Sequence, residues 1–265
     1  MDGKTRQAEA LRPGDRLRAF GQAHWLGFHA LVLAAWAYLF AMQLPPETAA
    51  AARLFGPELW AAICTVEPGL AGAPTVFLMW AAMTAAMMAP SAAPAFATFD
   101  DLRVAQAASR GGFAALVAGY LAVWLGFAAA ATAAQLALAG AGLISPAGES
   151  AAKWLTVFLL VAAGAWQLSA AKRACLRHCR RPLTVFVAHW QEGPTRLGLR
   201  LGLACLGCCW ALMALAFVGG TMNLLWMGGA MVLMTLEKLP GPGRVLTLPL
   251  GLALLGAAGF VATAG

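Results

Sequence analysis

The chain has 265 residues, of which 61% are apolar and only 11% charged, and its mean hydropathy is +0.73. A soluble domain carries about 25% charged residues and cannot hide so much apolar surface, so a soluble enzyme, a disordered chain and a fibrous repeat are all excluded. A formal charge of +7 on so few ionisable groups makes their placement more informative than their sum.

A bilayer core takes about 20 apolar residues in a helix. Lipid leaves the backbone only helices or closed barrels, and no alternating barrel pattern is present. Seven stretches qualify: 24–42, 75–98, 113–141, 151–171, 199–219, 222–237 and 245–264. The expected fold is an all-α, polytopic helical bundle of about seven transmembrane helices. Of the 18 Lys and Arg residues, all but Arg53 and Lys153 fall on one side of the alternating spans. The positive-inside rule then places the N-terminus inside and the C-terminus outside. The +7 therefore reads as topology, and nucleic acid is not an expected partner. The organisation is a basic cytoplasmic segment, 1–23, and a single transmembrane domain, 24–265. An outside loop, 43–74, and a basic cytoplasmic loop, 172–198, belong to that domain.

Taken in order, the basic start and first apolar stretch are both longer than a signal peptide requires, so the first span reads as a retained anchor. The outside loop has a short amphipathic stretch at 49–63, with Cys64 and Glu67 after it. In span two, Met79, Met83 and Met87 recur at i, i+4 and i+8, on one helix face, with Met88 beside them. In span three, Gly112, Gly119 and Gly126 form a small-residue stripe suited to close helix contact.

The inner loop carries Cys175 and Cys179, four apart among Lys172, Arg173, Arg177, His178, Arg180 and Arg181. The basic side chains suit gripping of anionic lipid, and the cysteines can hold a metal with one further ligand. Span five adds Cys205, Cys208 and Cys209 at i, i+3 and i+4, continued by Met213. Span six opens at Met222 and carries Met227, Met231 and Met234 on one face. Thioethers and thiolates are soft ligands suited to Cu(I). The competing reading is ordinary packing, since Met fills irregular helix interfaces. His29 reads as a packed histidine. His24, His189, Trp25, Trp154 and Trp190 suit the interface, and Glu237 with Lys238 reads as an ion pair at the inner end of span six. No nucleotide, haem-attachment, serine-elbow or zinc-protease motif occurs.

Three segments in combination resemble a known family. They are Met79-Trp80-x-x-Met83-x-x-Ala86-Met87-Met88-x-Pro90, then Lys172-x-x-Cys175-Leu176-x-x-Cys179-Arg180-x-Pro182, then Gly202 through Cys205, Gly207-Cys208-Cys209-Trp210 and Met213, on to Met222-Asn223 and Glu237-Lys238. The chain resembles, over about residues 75–240, a bacterial family of predicted metal-binding integral membrane proteins, domain of unknown function 2182. The resemblance implies metal binding without implying a reaction, and it implies a bacterial cytoplasmic membrane. The residues and the resemblance together point to a soft-metal protein handling or transporting Cu(I), with another soft metal as the alternative cargo. The expected ligands are Met79, Met83, Met87, Met88, Cys205, Cys208, Cys209, Met213, Met227, Met231, Met234, Cys175 and Cys179. The expected partners are the lipid bilayer, the metal ion, and a metallochaperone, another membrane subunit or a second copy of the chain. Two alternatives stay open: a copper-dependent membrane oxidoreductase acting on a small or lipid-soluble substrate, and a scaffold subunit that binds no metal.

Overall fold

The computed structural model describes residues 23–43, 72–106, 109 and 111–264. The basic N-terminal segment, the stretch at 49–63, Cys64, Glu67 and Arg110 lie outside the described residues. The described chain forms ten α-helices: α1 (Ala23–Ala41), α2 (Ala73–Ala105), α3 (Gly112–Gly140), α4 (Lys153–Leu168), α5 (Ala170–Arg180), α6 (Pro182–His189), α7 (Pro194–Ala214), α8 (Ala216–Gly219), α9 (Leu224–Lys238) and α10 (Pro242–Thr263). Among the described residues there is no strand longer than an isolated bridge between Ile144 and Ser150.

Five helices are long and apolar enough to cross a membrane: α1, α2, α3, α7 continued through α8, and α10. A sixth is made by α4 and α5 together, bent by 62°. The chain is therefore an all-α, multi-pass bundle. The seventh expected span, 222–237, is α9. Its 15 residues rise only about 22 Å, against a hydrocarbon core of about 30 Å.

Contacts sort the helix ends into two groups. At one end His24 of α1 bonds Asp100 of α2 and packs against Phe113 of α3, while Phe99 packs on Phe186 and Trp190. At the other, Trp80 donates to Gln135 and packs on Phe217, Ser150 N donates to Phe217 O, and Lys153 Nζ reaches Ala264 O. The first group carries the basic connections and is called the basic end below.

Local chemistry sets the breaks. Ser169 leaves helical geometry and its hydroxyl caps Lys172 N at 3.0 Å, which starts α5 in a new direction. Gly193 takes a positive φ of 84° just before Pro194 opens α7, a conformation open to glycine. Pro90 inside α2 cannot donate to Ala86 O, and the indole of Trp36 on α1 takes that carbonyl at 3.1 Å. The closest packing is between α3 and α7. A Cβ on Gly119 would stand 2.2 Å from Thr195 O, and one on Gly198 would stand 2.1 Å from Leu116 O. The expected glycine stripe is thus needed at Gly119, whereas Gly126 faces open space. Its counterparts are Gly198 and Gly202 on α7.

Candidate metal centre

The spacing of Cys205, Cys208 and Cys209 puts their side chains on one face of α7, and that face turns into the core. All three are at most 2% exposed, and their Sγ atoms lie within 4.8 Å of one another. Cys208 and Cys209 Sγ are 3.3 Å apart, and the Cys208 thiol reaches Cys205 O at 3.1 Å.

A fourth thiol comes from the far end of α5. Because α5 turns back across α7, Cys179 Sγ comes within 3.9 Å of Cys208 Sγ. Cys175, one turn earlier, packs instead against Gly207, where a Cβ would stand 2.5 Å from its Sγ. His178 is exposed and bonded through Nδ1 to Ala174 O of its own helix. The inner-loop cysteines therefore separate: Cys179 joins the span-five thiols and Cys175 packs on the back of their helix.

Polar groups from three further helices close on the same point. Tyr120 of α3 donates its hydroxyl to Met88 O at 2.9 Å and lies 3.1 Å from Cys205 Sγ. Lys238, at the end of α9, donates to Ser91 Oγ at 2.5 Å and to Cys205 Sγ at 3.1 Å. A cleft of about 190 Å³ reaches this cluster, with Ser91, Tyr120, Cys179, Arg180, Cys205 and Lys238 in its wall.

Glu237 and Lys238 do not pair with each other, contrary to the reading of an inner-end pair. Glu237 accepts from Lys172 Nζ at 2.7 Å and from Gln167, which also accepts from Lys172. Neighbours on a helix do not face one another, so the two side chains part to different helices. Lys172 and Glu237 are both at most 1% exposed.

Met79, Met83, Met87, Met88, Met213, Met227 and Met234 are all buried, and Met231 is half-buried. Their heights along the helices are ordered. Met88 is at the level of Tyr120 and Cys205, while Met79, nine residues earlier beside Trp80, lies about 13 Å toward the end opposite the basic one. On α9, Met227 lies 11 residues before Lys238 in the same direction, and Met213 lies beyond Cys209 on α7. The methionines thus lead from the thiols toward the opposite end. Burial at these positions is also what packing alone produces.

No histidine belongs to the thiol cluster among the described residues. His29 is exposed on α1 with Nδ1 on Trp25 O at 2.7 Å. His24 and Trp25, with Arg103, bind Asp100 and clasp α1 to α2. On the basic surface, hydrogen bonds from the Arg200 guanidinium, aided by His189, hold the half-buried Glu192 carboxyl below its usual range.

Spacing alone revealed the span-five thiols and the methionines, but not Lys238, Tyr120 or Ser91. The available signal was that an ionisable residue inside a span is a functional suspect by default.

A family model described as a copper chaperone, PpoB2, matches residues 77–261. The match covers α2 from near its start through almost all of α10, and the chain belongs to this family. The family is copper-related, in line with the metal binding that the sequence resemblance implies; the match does not extend to the name domain of unknown function 2182. No curated protein and no solved structure matches the chain.

Proposed function

We propose that this membrane member of a copper chaperone family receives Cu(I) as cargo on Cys205, Cys208, Cys209 and Cys179, and hands it on by exchange between sulfurs. The observation that carries this reading is the convergence of four thiols from α5 and α7 on one buried point at the base of a cleft. Cu(I) is soft, and thiolates are among the ligands that select it. Binding displaces the thiol protons. A cluster with more sulfurs than a two-coordinate ion needs can pass the ion from one pair to the next without releasing it.

The methionines extend this sulfur lining away from the basic end. A thioether carries no charge and needs no deprotonation, so Met79, Met83, Met87, Met88, Met213, Met227, Met231 and Met234 offer weak, exchangeable stations between that side and the thiols. Cys175 lies outside the cluster in this reading and takes a packing role. With the basic connections on the cytoplasmic side, the thiol cleft opens toward the cytoplasm and the methionines toward the outer face of a bacterial cytoplasmic membrane.

Anaerobic copper loading of purified protein tests the reading. Wild type is expected to retain Cu(I), the C208S/C209S variant to lose it, and C179S to hold it with a faster off-rate to a soluble chelator. In proteoliposomes, M83L/M87L is expected to keep the bound copper but slow its arrival from the methionine side. Equal copper in wild type and C208S/C209S would remove the proposal.

A further inference from the structure

Lys238 is a cation whose position at the end of a helix would let its long side chain reach the interface. It does the opposite. It is 8% exposed and its ammonium is bonded to Ser91 Oγ and Cys205 Sγ. The carboxylate next to it in sequence, Glu237, is committed to Lys172 and Gln167. Of the other described acids near the basic end, Asp101 is exposed, Asp100 is held by His24, Trp25 and Arg103, and Glu192 by Arg200 and His189. Neither Asp100 nor Glu192 bonds Lys238. A buried ammonium without a carboxylate is costly, and the groups present to balance it are the thiols. The half-buried Arg180, in the wall of the same cleft, adds a second positive charge and has its Nε on Glu237 O rather than on an acid side chain.

Resting on the thiol site proposed above, we infer that Lys238 is a specificity-determining residue that makes the cluster prefer a monovalent soft ion over a divalent one. The reason is charge. A monovalent ion on two thiolates carries −1, which the ammonium beside Cys205 cancels; Arg180 adds the same charge to every loaded state and so leaves the difference between the ions unchanged. A divalent ion on the same two thiolates is neutral by itself, so the ammonium leaves the set at +1. To return to zero the divalent ion must ionise a third thiol and gather three sulfurs around it. Each divalent charge is also repelled by Lys238, twice as strongly as a monovalent one at the same distance. Ser91 Oγ accepts from the same ammonium at 2.5 Å, a second contact that helps to hold it beside Cys205.

The test uses the full-length protein in detergent under anaerobic conditions, with Ag(I) as the monovalent probe, Cd(II) as the divalent thiophilic probe, and competition against chelators of known affinity. Wild type, K238M and K238R are compared, each first shown to be monodisperse. K238M is expected to lower the Ag(I)-over-Cd(II) preference by about 100-fold, the order set by one unit charge acting over about 5 Å at an effective dielectric of about 20. K238R keeps the charge and is expected to hold the preference within about tenfold of wild type. An unchanged preference in K238M, or a loss in K238R as large as in K238M, overturns the inference. Wild type that binds neither ion, or C208S/C209S that binds both as wild type does, fails the thiol site itself. An unchanged K238M on a working thiol site fails only the role of Lys238.

Discussion

Two buried lysines, Lys172 and Lys238, stand near the basic end of the bundle and differ in what answers them. Lys172 sits in a closed network, with a carboxylate and an amide from two other helices. Lys238 meets a hydroxyl and a thiol. The first network is complete without any ligand, and its place at the junction of α4, α5 and α9 makes it a clasp that fixes the bend carrying Cys179. The second is complete only when sulfur supplies the negative charge, which is the state that a thiolate-bound metal ion creates. Glu237 and Lys238, neighbours on α9, thus join two different networks.

The sharpest way to break this comparison is to remove one member of each network. Lys172→Met leaves Glu237 buried and charged, and it is expected to cost about 3–5 kcal/mol of stability, read as a fall in the unfolding midpoint in detergent. The double variant Lys172→Met/Glu237→Leu removes both charges and is expected to recover most of that loss. Lys238→Met strands no buried carboxylate, so its unfolding midpoint is expected to move far less than that of Lys172→Met. Equal losses for the two single variants would erase the distinction between the networks.

Smaller effects sharpen the picture of the scaffold behind the site. Gly198→Ala forces a methyl group onto Leu116 O of the neighbouring helix, and overpacking of this kind costs about 1–3 kcal/mol. Because α3 holds Tyr120 and α7 holds Cys205, the same variant is expected to weaken copper retention, measured by chelator competition. Trp36→Phe deprives Ala86 O of its donor and is expected to cost about 1 kcal/mol in thermal unfolding. Glu192, on the basic surface, lies at the bottom of the order. Its carboxyl ionises more readily in the folded chain than in the unfolded one, so any stability it adds is present at neutral pH and lost as pH falls through its lowered folded value. Glu192→Gln is expected to leave the midpoint at pH 7 unchanged within error, as exposed ion pairs contribute little.

The helical class, the positions of most spans and the spacing of the sulfur residues were all legible in the sequence, because each is a local property of composition and periodicity. The position of Cys179 was not. Residues 172–198 read as a surface loop, and only the break at Ser169, with its 62° bend, returns α5 to the bundle and brings the thiol to Cys208. The close approach of α3 and α7 depends on Gly198 and Gly202, and small residues on one helix do not reveal which helix they face. Lys238 was misread for a different reason. Opposite charges at adjacent positions look like a pair, yet helix geometry sends them about 100° apart. The methionines were legible as stripes, and their order along α2 and α9 emerges only once Tyr120 and Lys238 fix the level of the thiols.

The central claim is that the four thiols form a copper site, and X-ray absorption at the copper edge of anaerobically loaded protein tests it most directly. The account predicts Cu(I) with a shell of two or three sulfurs at about 2.3 Å, the metal–thiolate distance familiar from tetrahedral sites, and loss of that shell in C208S/C209S. A shell of nitrogen or oxygen, or a sulfur shell that survives the loss of Cys208 and Cys209 unchanged, would contradict it.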